Sequence, residues 1–292
     1  MIKINDEIIN IEHFSDGSQK LVNIHIHTQS FDKAEFNRCF NIIWKYENES
    51  ELVSLIYLVN HIRDTYTMCK NYITLRMLWV PNARMDRVEN PNDVFTLKYF
   101  AQIINSLNFD KVTILDPHSR VTNALIDRVE VIPAEFYIKK AIADITKNYC
   151  FESDFNKNIV MCFPDNGAFE RYANLSCFDG FKKVVGKKHR DWNTGRIEKL
   201  ELSSGNSELT GKNAFIVDDM ISSGETLYQF IKKLKDCGVL QIYVYCSHLE
   251  NRIMNEPDNN LRSLLDTGTI RFIYTTDSLF NGEHHKIKIL EP

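Results

Sequence analysis

The chain has 292 residues, a net charge of −4, and 43% hydrophobic against 25% charged residues. That is the balance of a soluble globular protein long enough for two domains of ordinary size. A pI near 6.2 argues against a general nucleic-acid surface, and no apolar run approaches the ~20 residues of a membrane helix. Asp6 and Glu7 stand where a signal peptide would be apolar. The seven cysteines are scattered with no C-x-x-C pair, so neither a disulfide framework nor a zinc site is indicated, and a reducing cytoplasm is expected.

Apolar runs alternate with helical patterns along the chain. Leu21–His27 and Phe40–Tyr46 read as strands, and Glu51–Thr65 carries Leu52, Leu55, Ile56, Leu58 and Val59 at helical spacing. Ile73–Val80 reads as a strand, Val94–Leu107 as a helix and Lys111–Leu115 as a strand. Then come a strand at Asn158–Phe163, a helix beginning at Gly167–Asn174 and a short strand at Phe181–Val185. Ala214–Val217 is a strand, Thr226–Cys237 a helix and Gln241–Cys246 a strand. Strands alternating with helices predict an α/β fold with mainly parallel sheets flanked by helices. The periodicity breaks near Asn148–Asn158, which predicts two tandem domains, residues 1–150 and 151–292.

Ligands in open α/β sheets bind at the carboxyl ends of strands, so polar clusters directly after strands are the candidate sites. The most informative is Asn213–Thr226, where an apolar strand runs into Asp218 and Asp219, then Ser222, Ser223, Gly224 and Thr226, then a helix. Paired acids can accept hydrogen bonds from vicinal sugar hydroxyls. The loop amides, the hydroxyls and the helix N-terminus can cradle a phosphate. Together they suit a ribose bearing a phosphate; a strand end followed by an N-cap is the plainer reading.

Four other clusters follow strands. Arg84, Asp86 and Arg87 can clamp a polyphosphate, or form a solvated charge run. In Asp116-Pro117-His118, His118 can ligate a divalent ion or serve as an ordinary turn residue. Asp165 in Pro164-Asp165-Asn166-Gly167 can meet a metal or sugar hydroxyls, or simply make a turn. The basic, glycine-flanked stretch Gly186–Arg196, with Lys188 and Arg190, reads as a mobile loop able to close over transferring phosphates.

These clusters, in this order, resemble ribose-phosphate pyrophosphokinase (phosphoribosyl pyrophosphate synthetase) over nearly the whole chain. Phe14-Ser15-Asp16-Gly17-Ser18 stands for the family's Phe-x-Asp-Gly-Glu, and Ala83–Arg87 for its Ala-Arg-Gln-Asp-Arg. Asp116–His118 stands for Asp-Leu-His, Pro164–Gly167 for Pro-Asp-x-Gly, Lys188–Arg190 for Lys-x-Arg and Asp218–Thr226 for the ribose-phosphate motif. The resemblance implies two phosphoribosyltransferase-like domains. It also implies transfer of the β,γ-pyrophosphoryl group of ATP to the anomeric hydroxyl of ribose 5-phosphate, leaving AMP. Phe14 and Asp16 would serve adenine, from a neighbouring subunit of a homodimer or higher homo-oligomer. Arg84, with Asp86 and Arg87, would serve the ATP phosphates, and His118 and Asp165 would serve Mg2+. Lys188 and Arg190 would be catalytic, with Asp218, Asp219, Ser222, Ser223, Gly224 and Thr226 around the ribose phosphate. Neither nucleic acid nor membrane is an expected partner.

Ser18 and Met85 depart from the family in ATP-associated segments, and Ser-Ser-Gly-Glu-Thr departs in the phosphate loop, where Glu225 adds a negative charge. Three alternatives therefore stand beside the main reading. They are the same chemistry on a ribose 5-phosphate ester such as ADP-ribose, a phosphoribosyltransferase, and a non-catalytic regulatory homologue.

Overall fold

A computed structural model of the chain describes residues 1–22, 24, 38–67, 70–149, 158–190, 197–203 and 205–291. They divide into two compact units, Met1–Ile132 and Pro133–Pro292. The sequence division at 150/151 differs from this by one helix, Ala134–Tyr149, which falls in the second unit.

In chain order, the first unit holds strands β1 (Ile2–Ile4), β2 (Glu7–Ile8), β3 (Asn10–His13), β4 (Gln19–Val22) and β5 (Arg38–Trp44), then helix α1 (Ser50–Thr65) and β6 (Asn71–Arg76). Helix α2 (Thr96–Ser106), β7 (Lys111–Leu115), α3 (Arg120–Leu125) and β8 (Val129–Ile132) complete it. The main sheet has the order β2-β1-β5-β6-β7-β8. Strands β5 to β8 run parallel, and the β1–β2 pair closes one edge antiparallel. Helical spacing puts Leu55, Leu58, Val59 and Ile62 on one side of α1. There they pack into a core with Phe40, Ile42, Leu75, Phe100 and Ile114. The expected strand to Val80 stops at Arg76. Pro81 has no N–H to give a ladder, and Asn82 turns the chain at φ 62°.

The second unit begins with α4 (Ala134–Tyr149), followed by β9 (Ile159–Phe163), α5 (Asn166–Tyr172), β10 (Lys182–Arg190), β11 (Ile197–Leu202), α6 (Asn206–Leu209) and β12 (Asn213–Ile221). It ends with α7 (Glu225–Asp236), β13 (Ile242–Leu249), α8 (Arg252–Asn255), α9 (Asn260–Asp266), β14 (Ile270–Thr275) and β15 (Ile287–Ile289). Its sheet has the order β11-β10-β9-β12-β13-β14-β15, parallel except for the β10–β11 pair. Every residue of β9 and β13 is buried, as central strands of a covered parallel sheet require.

Two sequence boundaries are corrected here. Strand β12 continues past Val217 through both carboxylates, because β13 supplies partners: Asp218 lies opposite Cys246, Met220 opposite His248 and Ile221 opposite Leu249. Strand β10 likewise continues through Gly186–Arg190, which pairs antiparallel with β11. That part of the expected loop is a ribbon. Residues 191–196 lie outside the described residues, as do 25–27 of the expected strand Leu21–His27. No described helix is long and apolar enough to cross a membrane.

Candidate active site

The densest chemistry lies at the carboxyl ends of β9 and β12 in the second unit. These strands are parallel neighbours, with Ile216 opposite Cys162, so the residues that follow them emerge at one sheet edge. Asp165 caps α5, its Oδ1 accepting the Ala168 N–H at 2.9 Å; a capping carboxylate is a favoured helix start. One turn further on, Arg171 Nη1 lies 3.2 Å from Asp219 Oδ2. The Asp219 N–H in turn donates to Asp218 Oδ1 at 2.9 Å. Burial, then the charge of Asp219, then that of Asp165, push the Asp218 carboxyl well above the usual carboxylate range. Asp218 therefore feels both Asp219 and Asp165, and the Arg171 guanidinium is set against Asp219. Such a group accepts hydrogen bonds from sugar hydroxyls and attracts cationic charge.

The loop after β12 is held from the far side by residues 250–261. Ser222 Oγ donates to Glu250 Oε2 at 2.6 Å, and Asn259 Nδ2 donates to the Ser223 carbonyl at 3.0 Å. Gly224 is the N-cap of α7 at φ 78°. A Cβ there would stand 2.6 Å from Leu261 Cδ2, so the glycine is demanded by backbone and space alike. Thr226 lies in the first turn of α7, where backbone N–H groups have no intrahelical acceptor. The Glu225 carboxylate is held by Gln229 Nε2 at 2.8 Å and Asn260 Nδ2 at 3.1 Å.

Lys188 and Arg190 stand on β10 opposite Leu200 and Ile197, with a bulge between His189 and Arg190. Their side chains lie outside the described residues. At the base of this ribbon, a Cβ on Gly186 would meet the Pro164 carbonyl at 2.6 Å and the Phe230 ring at 3.0 Å.

The first unit carries the remaining candidates. Phe14 and Asp16 lie at the tip of the β3–β4 hairpin, Phe14 exposed. Asp16 Oδ1 accepts from Ser18 Oγ at 2.6 Å and the Ser18 N–H at 2.9 Å, bonds that hold its carboxyl below the usual range. Ser18 thus organises the acid beside it. Arg84 is exposed on the turn after β6. Arg87 Nε donates to Glu89 Oε1 at 3.1 Å. His118 is exposed after β7, where Asp116 turns the chain at φ 37°.

Sequence reasoning missed Arg171 and Glu250, each separated in sequence from the residue it meets. It also missed the buried set at the ends of β13 and β14, where Ser278 Oγ lies 2.8 Å from His248 Nδ1 and Thr276 Oγ1 donates to the Ser247 carbonyl at 2.7 Å. A Ser-His pair inside an apolar strand carries no local signal for that network.

A family model for the phosphoribosyl transferase domain matches residues 132–275. The ribose-phosphate pyrophosphokinase of Chlorobaculum tepidum is 24% identical over 274 residues, covering 94% of this chain and 76% of its own length. That of Campylobacter jejuni is 24% identical over 197 residues, covering 68% of this chain and 59% of its own length. Ribose-phosphate pyrophosphokinase 4 of Oryza sativa is 28% identical over 189 residues, covering 60% and 52%. Among solved structures, phosphoribosylpyrophosphate synthetase from Mycobacterium smegmatis superposes with a TM-score of 0.72 at 15% identity, covering 97% of this chain and 85% of the other. That likeness shows the shared fold, two mainly parallel sheets flanked by helices. The chain is thus similar to ribose-phosphate pyrophosphokinases over nearly its whole length, as a divergent relative, and its residues 132–275 match the phosphoribosyl transferase domain.

Proposed function

We propose that the protein transfers the β,γ-pyrophosphoryl group of ATP to the anomeric hydroxyl of a ribose 5-phosphate acceptor, releasing AMP. Ribose 5-phosphate itself gives phosphoribosyl pyrophosphate. The observation that carries this reading is the grouping of Asp165, Asp218, Asp219 and Arg171 beside the loop of Ser222, Ser223, Gly224 and Thr226. Asp218 and Asp219 accept from the ribose hydroxyls and fix the ring. The loop hydroxyls and the N-terminus of α7 receive the 5-phosphate.

Phosphoryl transfer asks the protein mainly to align groups and compensate charge. In this reading Arg84, Asp86 and Arg87 orient the ATP phosphates, and Lys188 and Arg190 neutralise charge developing on the transferring oxygens. Phe14 and Asp16, on an exposed hairpin tip, meet the adenine of a neighbouring subunit in a homo-oligomer. The described residues contain no group of three or more metal ligands; His118 in the first unit and Asp165 in the second are each a candidate contact for magnesium that keeps most of its water and arrives on phosphates. Magnesium held there would supply positive charge to the phosphate oxygens. A reducing cytoplasm suits the described cysteines, none of which forms a disulfide.

Incubation with ATP, Mg2+ and ribose 5-phosphate, followed by chromatography, is expected to yield AMP in step with acceptor consumed. ADP as the sole nucleotide product would sink the reading. AMP formed only with an ester such as ADP-ribose would mark that acceptor, consumption of phosphoribosyl pyrophosphate with a base a phosphoribosyltransferase, and no turnover under any of these conditions a regulatory homologue.

A further inference from the structure

Two helices of the first unit leave a cleft between them. Leu52, Val53 and Ile56 of α1 and Tyr99, Phe100 and Ile103 of α2 recur at the same i, i+1, i+4 spacing, so each set lies on one helix face. Together they line a cleft of about 380 Å³. Trp44 at the end of β5, and Pro81 and Asn82 after β6, complete its wall. It therefore sits at the carboxyl ends of two parallel strands, where α/β sheets take ligands. Val53, Val94, Tyr99 and Ile103 line it and are exposed. Apolar side chains gathered in water around a concavity mark a binding site, as scattered ones do not.

The lining selects among ligands. Trp44, Tyr46, Tyr99 and Phe100 give it aromatic walls, which favour a flat ring. An apolar cavity of about 150 Å³ holds benzene, so this volume suits two fused rings. A peptide helix about 10 Å across needs far more. Among the described residues, Glu49 is the one charged group of the lining. Burial, then the charges of Glu49 and Glu51, raise the Tyr46 phenol above its ordinary value, so the negative charge is felt at the wall. Lys98 Nζ stands 5.9 Å from the Tyr99 ring centroid but does not line the cleft. A cation on an aromatic ligand meets both the carboxylate and the faces of aromatic rings.

We propose that the cleft between α1 and α2 is a binding site for a bicyclic aromatic amine, its rings between the two helices and its protonated nitrogen beside Glu49. The inference is independent of the pyrophosphokinase reading and concerns the first unit alone.

The test titrates the full chain calorimetrically with three probes that share one ring system and differ in charge: tryptamine, indole and indole-3-acetate. Tryptamine is expected to bind about fivefold tighter than indole, and indole-3-acetate more weakly than indole. Glu49→Gln is expected to bring tryptamine to the level of indole while leaving indole unchanged. Val53→Trp, at an exposed position, is expected to fill the cleft and abolish binding of all three, with a melting curve showing that the variant is folded. AMP formation on the same samples reads the pyrophosphokinase proposal separately, and its absence leaves these binding results standing. Equal affinity for the three probes overturns the inference, as does binding that Val53→Trp leaves intact or no binding of any probe. Self-association that Val53→Trp removes, in place of probe binding, would assign the cleft to a second copy of the chain and overturn it too.

Discussion

Arg171 Nη1 lies 3.2 Å from Asp219 Oδ2, with the two side chains only 23% and 14% exposed. This sets a guanidinium from α5 against a carboxylate of β12, within a group that also includes Asp165 and Asp218. A pair this far withdrawn from water is less screened than a surface ion pair. It fixes one of the two acids proposed to face the ribose.

Removing that guanidinium is therefore expected to act on acceptor binding more than on turnover. Arg171→Ala should raise KM for the ribose acceptor about tenfold or more, with a smaller change in kcat. Arg171→Lys should recover part of the loss, since lysine restores the charge but not the planar fork. Steady-state kinetics with ATP saturating checks this. A fall in kcat at constant KM would assign Arg171 to the transferring phosphates instead.

Asp218 gives a pH signature. Its carboxyl is raised by burial, then by Asp219, then by Asp165, so the folded chain holds that proton more tightly than the unfolded chain does. The associated stability is present below the ordinary carboxylate range and is lost as pH rises through the raised folded value. Asp218→Asn should raise Tm at pH 8 by about 2–4 °C, with little gain near pH 4, and should weaken ribose binding. Melting curves at the two pH values decide it; a lower Tm at pH 8 would contradict the assignment.

Two glycines are expected to be intolerant of alanine for different reasons. Gly224→Ala forces a side chain into the left-handed region and against Leu261, for about 2 kcal/mol or more. Gly186→Ala meets the Pro164 backbone carbonyl, which cannot swing aside as a side chain can, so the β9–β10 junction must shift. Chemical denaturation should show both losses. Wild-type stability in Gly186→Ala would mean the ribbon base is looser than its contacts imply.

Lys188 and Arg190 are proposed to contribute once charge has moved onto the transferring oxygens. Lys188→Ala and Arg190→Ala should each lower kcat by about 10²-fold or more with modest change in KM. Normal turnover in Lys188→Ala would remove that residue from the mechanism.

Much of the candidate site was legible because its signals are local. The run from Asn213 to Thr226 reads as strand, acids, hydroxyl loop and helix, and the structure has β12, the loop and α7 in that order. Asp165 was legible as a turn acid, and it caps α5. The strand ends were less legible. Aspartates and a glycine with basic neighbours are poor strand formers, so Val217 and Val185 looked like termini, yet β13 and β11 supply ladder partners beyond both.

From the sequence alone came the alternation that makes this an α/β chain and the residue types gathered behind each strand, because periodicity and turn chemistry are set by near neighbours. Only the tertiary structure decided which of those residues act together. Arg171 meets Asp219 across 48 positions and Ser222 meets Glu250 across 28. No local pattern announces such pairs. They arise because neighbouring parallel strands bring distant segments to one edge of a sheet, where burial and shared charge then determine what each carboxylate can do.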